Sequence, residues 1–234
     1  MNQILATDRV YVTNKMKKKK KLYKIQFIVS VILVFLFSGW YVYSKVEQNA
    51  CEAVSKDILS EIPLNEIDDA TTSDEPLVVA LDDTEVVDNT NKTALDGNYT
   101  DENGNTYTYE SILNIPKLGI EYPVLSETSD ELLKISINKF WGGSPNSVGN
   151  YCIVGHNYKS GKMFGKLSQI KNGDIVKLTD LSGNTLEYKV YNKFVVYPED
   201  VACTSQITNG LKEMTLITCT NGGKQRLIVK CREV

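Results

Sequence analysis

The sequence predicts a mainly β domain, a closed eight-stranded barrel with short helices, preceded by an N-terminal transmembrane helix and an acidic linker. Three observations predict it. From Tyr107 onward, short apolar runs alternate with turn residues. One long stretch near the N-terminus carries no formal charge. Between the two lies a segment rich in acids and poor in large apolar side chains. About eight short strands in ~130 residues leave edges that a chain of this kind hides by closure.

The elements follow in order. Residues 1–24 are basic, with Lys15, Lys17 through Lys21 and Lys24. Residues 25–44 are apolar and end in Trp40, Tyr41 and Tyr43. About 20 such residues span a bilayer as a helix, with aromatics at the interface. Lysines before the span and acids after it orient the N-terminus to the cytoplasm. The stretch is long for a cleaved signal peptide, and no small-x-small site follows Gly39, so an uncleaved anchor is expected. Placed against a membrane span, the lysine block reads as an orientation signal, and no nucleic-acid partner is expected.

Residues 45–105 form an acidic extracellular linker that includes Asp68, Asp69, Asp74, Glu75, Asp82 and Asp83. A helix between Glu47 and Ile62 is compatible with the pattern, and the rest reads as a solvated tether. Leu77, Val78, Val79 and Leu81 are an apolar patch that could pack on the barrel or lie in its groove as a lid. The acids lack the spacing of a calcium loop. A domain beginning near Thr106 is expected to fold without the residues before it.

Within 106–234, the segments 111–116 and 120–124 read as strands joined at Lys117-Leu118-Gly119. Residues 129–135 read as a helix capped by Ser129. A loop at Trp141–Pro145 precedes a strand through Cys152. One or two helical turns follow at 164–170. Strands at 174–178 and 185–196 flank a turn at Leu181–Asn184.

The last two strands carry the chemistry. Thr215-Leu216-Ile217-Thr218-Cys219-Thr220 and Arg226-Leu227-Ile228-Val229-Lys230-Cys231 flank Asn221-Gly222-Gly223-Lys224. A two-residue turn at the glycines, which accept positive φ, pairs Cys219 with Arg226. Opposed side chains share a face, with β-carbons about 5 Å apart. In that register Met214, Leu216 and Thr218 face the core with Leu227, Val229 and Cys231. Cys219 then points away from the core, beside a guanidinium.

The chain has one histidine, His156, after Gly155 at the end of an apolar strand. An ordinary thiol, with a pKa of about 8.5, needs a base or a positive neighbour to react at neutral pH. Imidazole supplies the base and then the acid for a leaving amine. Arginine supplies a permanent cation for an oxyanion.

The Thr-Leu-Ile-Thr-Cys motif at 215–219, Arg226 after it, Gly155-His156 upstream and Met163-Phe164-Gly165-Lys166-Leu167 resemble the sortases, cysteine transpeptidases of Gram-positive cell surfaces. The resemblance covers roughly Thr106 to Val234. It implies a sortase-type barrel with Cys219 as nucleophile, His156 as general acid/base and Arg226 as ligand of substrate and oxyanion. Ile217 and Thr218 are the residues it implies beside the substrate. Implied partners are secreted proteins with a C-terminal LPxTG-like sorting signal, a peptidoglycan precursor amine and, through the N-terminal helix, membrane lipid.

No cofactor or metal is expected, since one histidine and scattered cysteines give no ligand spacing. The Gly155–Lys159 segment is similar to class B enzymes, while the short 198–211 connection lacks their helical insertion, so class B-like and class D-like readings both stay open. The competing functions are a cysteine hydrolase on the same scaffold and a non-catalytic surface adhesion domain.

The five cysteines stand at 51, 152, 203, 219 and 231. An odd count leaves at least one free thiol. Cys152 and Cys231 are expected to pack in the core, and Cys203 to sit in a loop away from the motif.

Overall fold

The computed structural model describes residues 14–62 and 97–234. Helix α1 (Asn14–Glu61) contains the whole apolar stretch and continues through the region after Glu47. Its 48 residues correspond to about 72 Å of helix. Among the described residues it is the one helix long and apolar enough to cross a membrane. The acids from Asp68 to Asp83 and the patch from Leu77 to Leu81 lie outside the described residues.

The chain divides into two compact units, one ending at Asn49 and one running from Ala50 to Val234. The packed β unit therefore begins well before residue 106. In its α1 portion, Ser55 and Ile58 are buried. Ile58 and the following Ile62 join Tyr99, Tyr109, Ile112 and Leu125 in one apolar cluster. Strand β1 (Asn98–Thr100) pairs with the first residues of β2 (Thr106–Ile115). The turn between them is tied by Asp101, whose Oδ1 accepts from the N–H groups of Asn103 and Asn105, the local bonding that suits aspartate to turns.

Beyond β2 come β3 (Ile120–Leu125), α2 (Leu132–Ile135), β4 (Ile137–Trp141), β5 (Gly149–Gly155), β6 (Ile175–Asp180), β7 (Thr185–Val196), β8 (Lys212–Thr220) and β9 (Gln225–Glu233). The sheet order is β1-β2-β3-β4-β5-β8-β9-β7-β6, and β6 pairs back onto β2. Strands β2 to β9 thus close an eight-stranded barrel, with β1 appended to β2. Only β3–β4 and β5–β8 are parallel. The interior holds Leu113, Ile153, Phe164, Leu178, Leu216 and Val229 among others.

The helix at 129–135 is shorter than expected, and β4 is a strand that the expected elements do not include. The helix is regular only over Leu132–Ile135, although Ser129 still caps its first turn, its Oγ accepting from the Leu132 N–H at 3.1 Å. Strand β4 carries no clear alternation, because neighbours Ile137 and Asn138 are both fully buried. The Asn138 amide donates to the Glu127 carbonyl at 2.8 Å. The segment before α2 thereby covers the face that a polar residue would otherwise give to solvent.

Removing the Ile58 side chain should leave a cavity between α1 and the barrel. Ile58→Ala is expected to cost about 2–5 kcal/mol, read from denaturant unfolding of a fragment starting at Ala50. A fragment starting at Thr106 should melt at a lower temperature than the Ala50 fragment. Equal melting temperatures would show that α1 adds nothing to the fold.

Candidate active site

The site is built by the register of three neighbouring strands. Parallel pairing sets Cys152, Val154 and Gly155 of β5 beside Thr215, Ile217 and Thr218 of β8. Antiparallel pairing sets Thr215, Ile217, Thr218 and Cys219 opposite Lys230, Ile228, Leu227 and Arg226 of β9. Since alternate residues share a face, three rows stand on the outer side of the barrel wall. Cys152, Thr215 and Lys230 form the first, and Val154, Ile217 and Ile228 the second. His156, one step past the Gly155–Thr218 pair, completes the third with Cys219 and Arg226.

Specific contacts hold that third row. Thr218 donates from its hydroxyl to the Gly155 carbonyl at 2.7 Å. The Asn157 amide donates to the Cys219 carbonyl at 2.7 Å. Phe164 N–H donates to the His156 carbonyl at 3.0 Å. Gly155 has no alternative here: a β-carbon would sit 2.7 Å from Ile137 and 2.9 Å from Phe164. The turn after Cys219 is wider than the two-residue turn expected: pairing ends at Thr220–Gln225, and Asn221, Gly222 and Gly223 take φ of +50°, +65° and +88°, yet Cys219 still lies opposite Arg226. Arg226 is fixed at its end, Nη1 donating to the carbonyls of Gly223 (2.9 Å) and Gln225 (3.1 Å).

The electrostatics favour a neutral imidazole. Burial pushes the His156 pKa below its ordinary value, Asp130 pulls it back up, and Lys134 pushes it down again. Both charges come from the segment around α2. The Tyr158 ring stands 5.2 Å from the imidazole, centroid to centroid.

The second row floors a cavity of about 230 Å³. Val154, Ile217 and Ile228 form the floor, and Leu133, Phe140, Val196 at the end of β7, and Val201 and Cys203 of the β7–β8 connection complete the lining. Arg226 also lines it, so the groove leads to the third row.

The first row closes the groove with polar bonds. Lys230 Nζ donates to Thr215 Oγ1 (2.8 Å) and to the Cys203 carbonyl (3.2 Å). Asn150 Nδ2 donates to the carbonyls of Cys203 (2.9 Å) and Ser205 (3.1 Å).

The structure thus sets Cys219 opposite Arg226, places His156 directly after the Gly155 that pairs with Thr218, and sets Ile217 in the groove. It does not place Thr218 there. Thr218 is 1% exposed and turned inward by strand alternation, so it braces β5 to β8 instead of facing a ligand. Cys203 is also displaced from expectation, lining the groove and not standing apart from it. Cys152 is buried, but in the layer under this connection with Ile217 and Ile228, and burial pushes its thiol up to about 12. Sequence reading gave no role to Asn157, Asp130 or Asn150, whose partners are distant in the chain.

A family model for the sortase domain matches residues 113–234. The chain belongs to the sortase family. It is 31% identical over 110 residues to sortase A of Bacillus anthracis, covering 47% of this chain and 51% of that protein. It therefore spans about half the length of that curated relative.

A solved sortase D5 transpeptidase of Clostridium perfringens superposes with a TM-score of 0.50 at 28% identity, covering 54% of this chain and 79% of the other. Sortase A of Corynebacterium diphtheriae, as a lid mutant, gives 0.51 at 25% identity, with 55% and 71% covered. These relatives carry A and D labels alike and leave the subclass of this sortase open.

Two expected outcomes test the site. Gly155→Ala should overpack the β5 end, cost about 1–3 kcal/mol of stability and displace His156, measured by thermal unfolding and the histidine NMR signal. Asp130→Asn removes an anion that favours the imidazolium, so the His156 pKa should fall further. With one histidine in the chain, an NMR titration reads this without assignment. A pKa that rose or stayed put would refute the Asp130 contribution.

Proposed function

We propose that this sortase is a membrane-anchored cysteine transpeptidase acting on secreted proteins with a C-terminal LPxTG-like sorting signal. The observation that carries the reading is the row His156–Cys219–Arg226 at the end of an apolar groove. Neutral His156 takes the Cys219 thiol proton, and the sulfur attacks the carbonyl carbon of the scissile threonine–glycine bond. The oxyanion that forms is stabilised by Arg226, a fixed cation at the groove's end. Protonated His156 gives its proton to the leaving amine, the carbon–nitrogen bond breaks, and a thioester remains on Cys219. An incoming amine attacks the thioester, His156 takes its proton, and a new amide releases the sulfur.

The groove supports a substrate with apolar side chains ahead of the reacting carbonyl, through Val154, Ile217, Ile228 and Val201. The acceptor in this reading is a peptidoglycan precursor amine, with a pilin lysine as the less favoured choice. The anchor is single-pass: the basic 1–24 segment stands in the cytoplasm, residues 25–44 cross the membrane, and the barrel is extracellular, where both substrates are found.

Cys219→Ala should abolish transpeptidation while leaving the melting temperature within a few degrees, since the side chain lies outside the barrel core. His156→Ala and Arg226→Ala should each lower turnover by about a hundredfold or more. Arg226→Lys should restore only part, because an ammonium lacks the planar fork. The measurement is mass spectrometry of sorting-signal peptides with and without an added amine. An amide product supports transpeptidation, hydrolysis alone points to the hydrolase reading, and turnover by folded Cys219→Ala removes Cys219 from the mechanism.

A further inference from the structure

The loop that follows His156 is held from outside the barrel. Residues 157–163 leave β5, make a tight turn and return, with a bridge between Asn157 and Met163. Met163 adopts a left-handed backbone, φ +49°, which a side chain with a β-carbon enters only when its surroundings compel it. Those surroundings are identifiable. The Met163 N–H donates to the Tyr122 hydroxyl at 3.0 Å, and the Met163 side chain is 3% exposed. The preceding residue, Lys162, is ion-paired to Glu52 of α1.

Glu52 is well placed for this. Its side chain is 17% exposed and that of Lys162 is 23%, so the pair is shielded more than a surface pair would be. The other Glu52 oxygen meets Lys56 one turn along the helix. Burial raises the Tyr122 phenol, the Met163 N–H lowers it, and the Glu52 carboxylate raises it again. On the same turn as Lys56, Ser55 donates to Ser136 at 3.3 Å, and Ser136 donates to the Pro123 carbonyl. The α1 portion from Ala50 therefore grips both the loop after His156 and the chain just before β4.

We propose that Glu52 is a positioning residue for His156. Its carboxylate holds Lys162, and through the Asn157–Met163 bridge it fixes the loop that sets the imidazole and hands Asn157 to the Cys219 carbonyl. The membrane-proximal end of α1 is then part of the working site, not merely its tether. This rests on the reading of His156 as the acid/base.

The test uses the full chain in lipid nanodiscs, labelled with ¹³C at the histidine ring. Glu52→Gln and Lys162→Gln should each lower kcat about fivefold, the scale of one partly shielded ion pair, with KM little changed. Both should shift the single histidine resonance. The exchange Glu52→Lys with Lys162→Glu should recover most of the turnover and return the resonance toward its original position.

An unmoved resonance in both single variants overturns the proposal whatever turnover does, and so does an exchange variant no better than the singles. Loss of the Cys219 and His156 assignments would appear separately, as turnover surviving Cys219→Ala or His156→Ala. The resonance would still report whether Glu52 positions the loop.

Discussion

The hydrogen bond from Thr218 to the Gly155 carbonyl is the interaction on which the site depends. It is fully inside the barrel wall, where an unpaired hydroxyl or carbonyl would cost about 1–3 kcal/mol. It ties β5 to β8 at the pair just before His156 and Cys219. A slip of one residue would turn Cys219 inward and bring Thr218 out, since side chains alternate faces. It would also break the bond from Asn157 to the Cys219 carbonyl. The glycine–threonine pair and the amide of Asn157 thus penalise the same error from two sides. A polar residue in an otherwise apolar core face therefore acts as a register pin.

The groove wall is held by a different device. Lys230 has a side chain only 12% exposed, a costly place for an ammonium without partners. Thr215, the Cys203 carbonyl and, at 3.6 Å, Glu213 meet it, and Glu213 is itself bonded to Arg232. The result is that the middle of the β7–β8 connection is fastened to the sheet by its backbone carbonyls. Side chains on that connection, Val201 and Cys203 among them, are left to line the groove. Backbone anchoring of this kind fixes where the wall stands without dictating which side chains it presents.

Much of the site was legible in the chain because it depends on local rules. The alternation in 214–219 and 226–231, together with two glycines able to take positive φ, determines which side chains oppose each other, and Cys219 meets Arg226 as the pattern requires. His156 could be placed only by resemblance, since a parallel β5–β8 pairing joins residues more than sixty positions apart and leaves no periodic trace. The inward turn of Thr218 was derivable from the same alternation that turned Cys219 outward. The contribution of Cys203 to the groove was not, because it depends on Asn150 and Lys230 capturing a carbonyl in a loop without periodicity.

The α1 portion of the packed unit shows a third case, a helix legible in the sequence whose docking was not. Between Ala50 and Ile62 the residues that turn toward the barrel are Cys51, Glu52, Val54, Ser55, Ile58, Leu59 and Ile62, while Ala53, Lys56, Asp57, Ser60 and Glu61 are exposed. That spacing is the helical stripe of three and four. The sequence admits a helix from Glu47 to Ile62, but the acidic stretch to residue 105 hides that its apolar face has a barrel to cover, so the fold is expected to begin only near Thr106. Judged over three turns, the apolar side chains define a face, and Ile58 and Ile62 find Tyr109, Ile112 and Leu125 to cover. Composition asks whether a long segment can bury enough surface by itself. It has no bearing on a short helix that needs only one side of an existing barrel. Helical period is then the stronger guide wherever a folded neighbour is already implied by the rest of the chain.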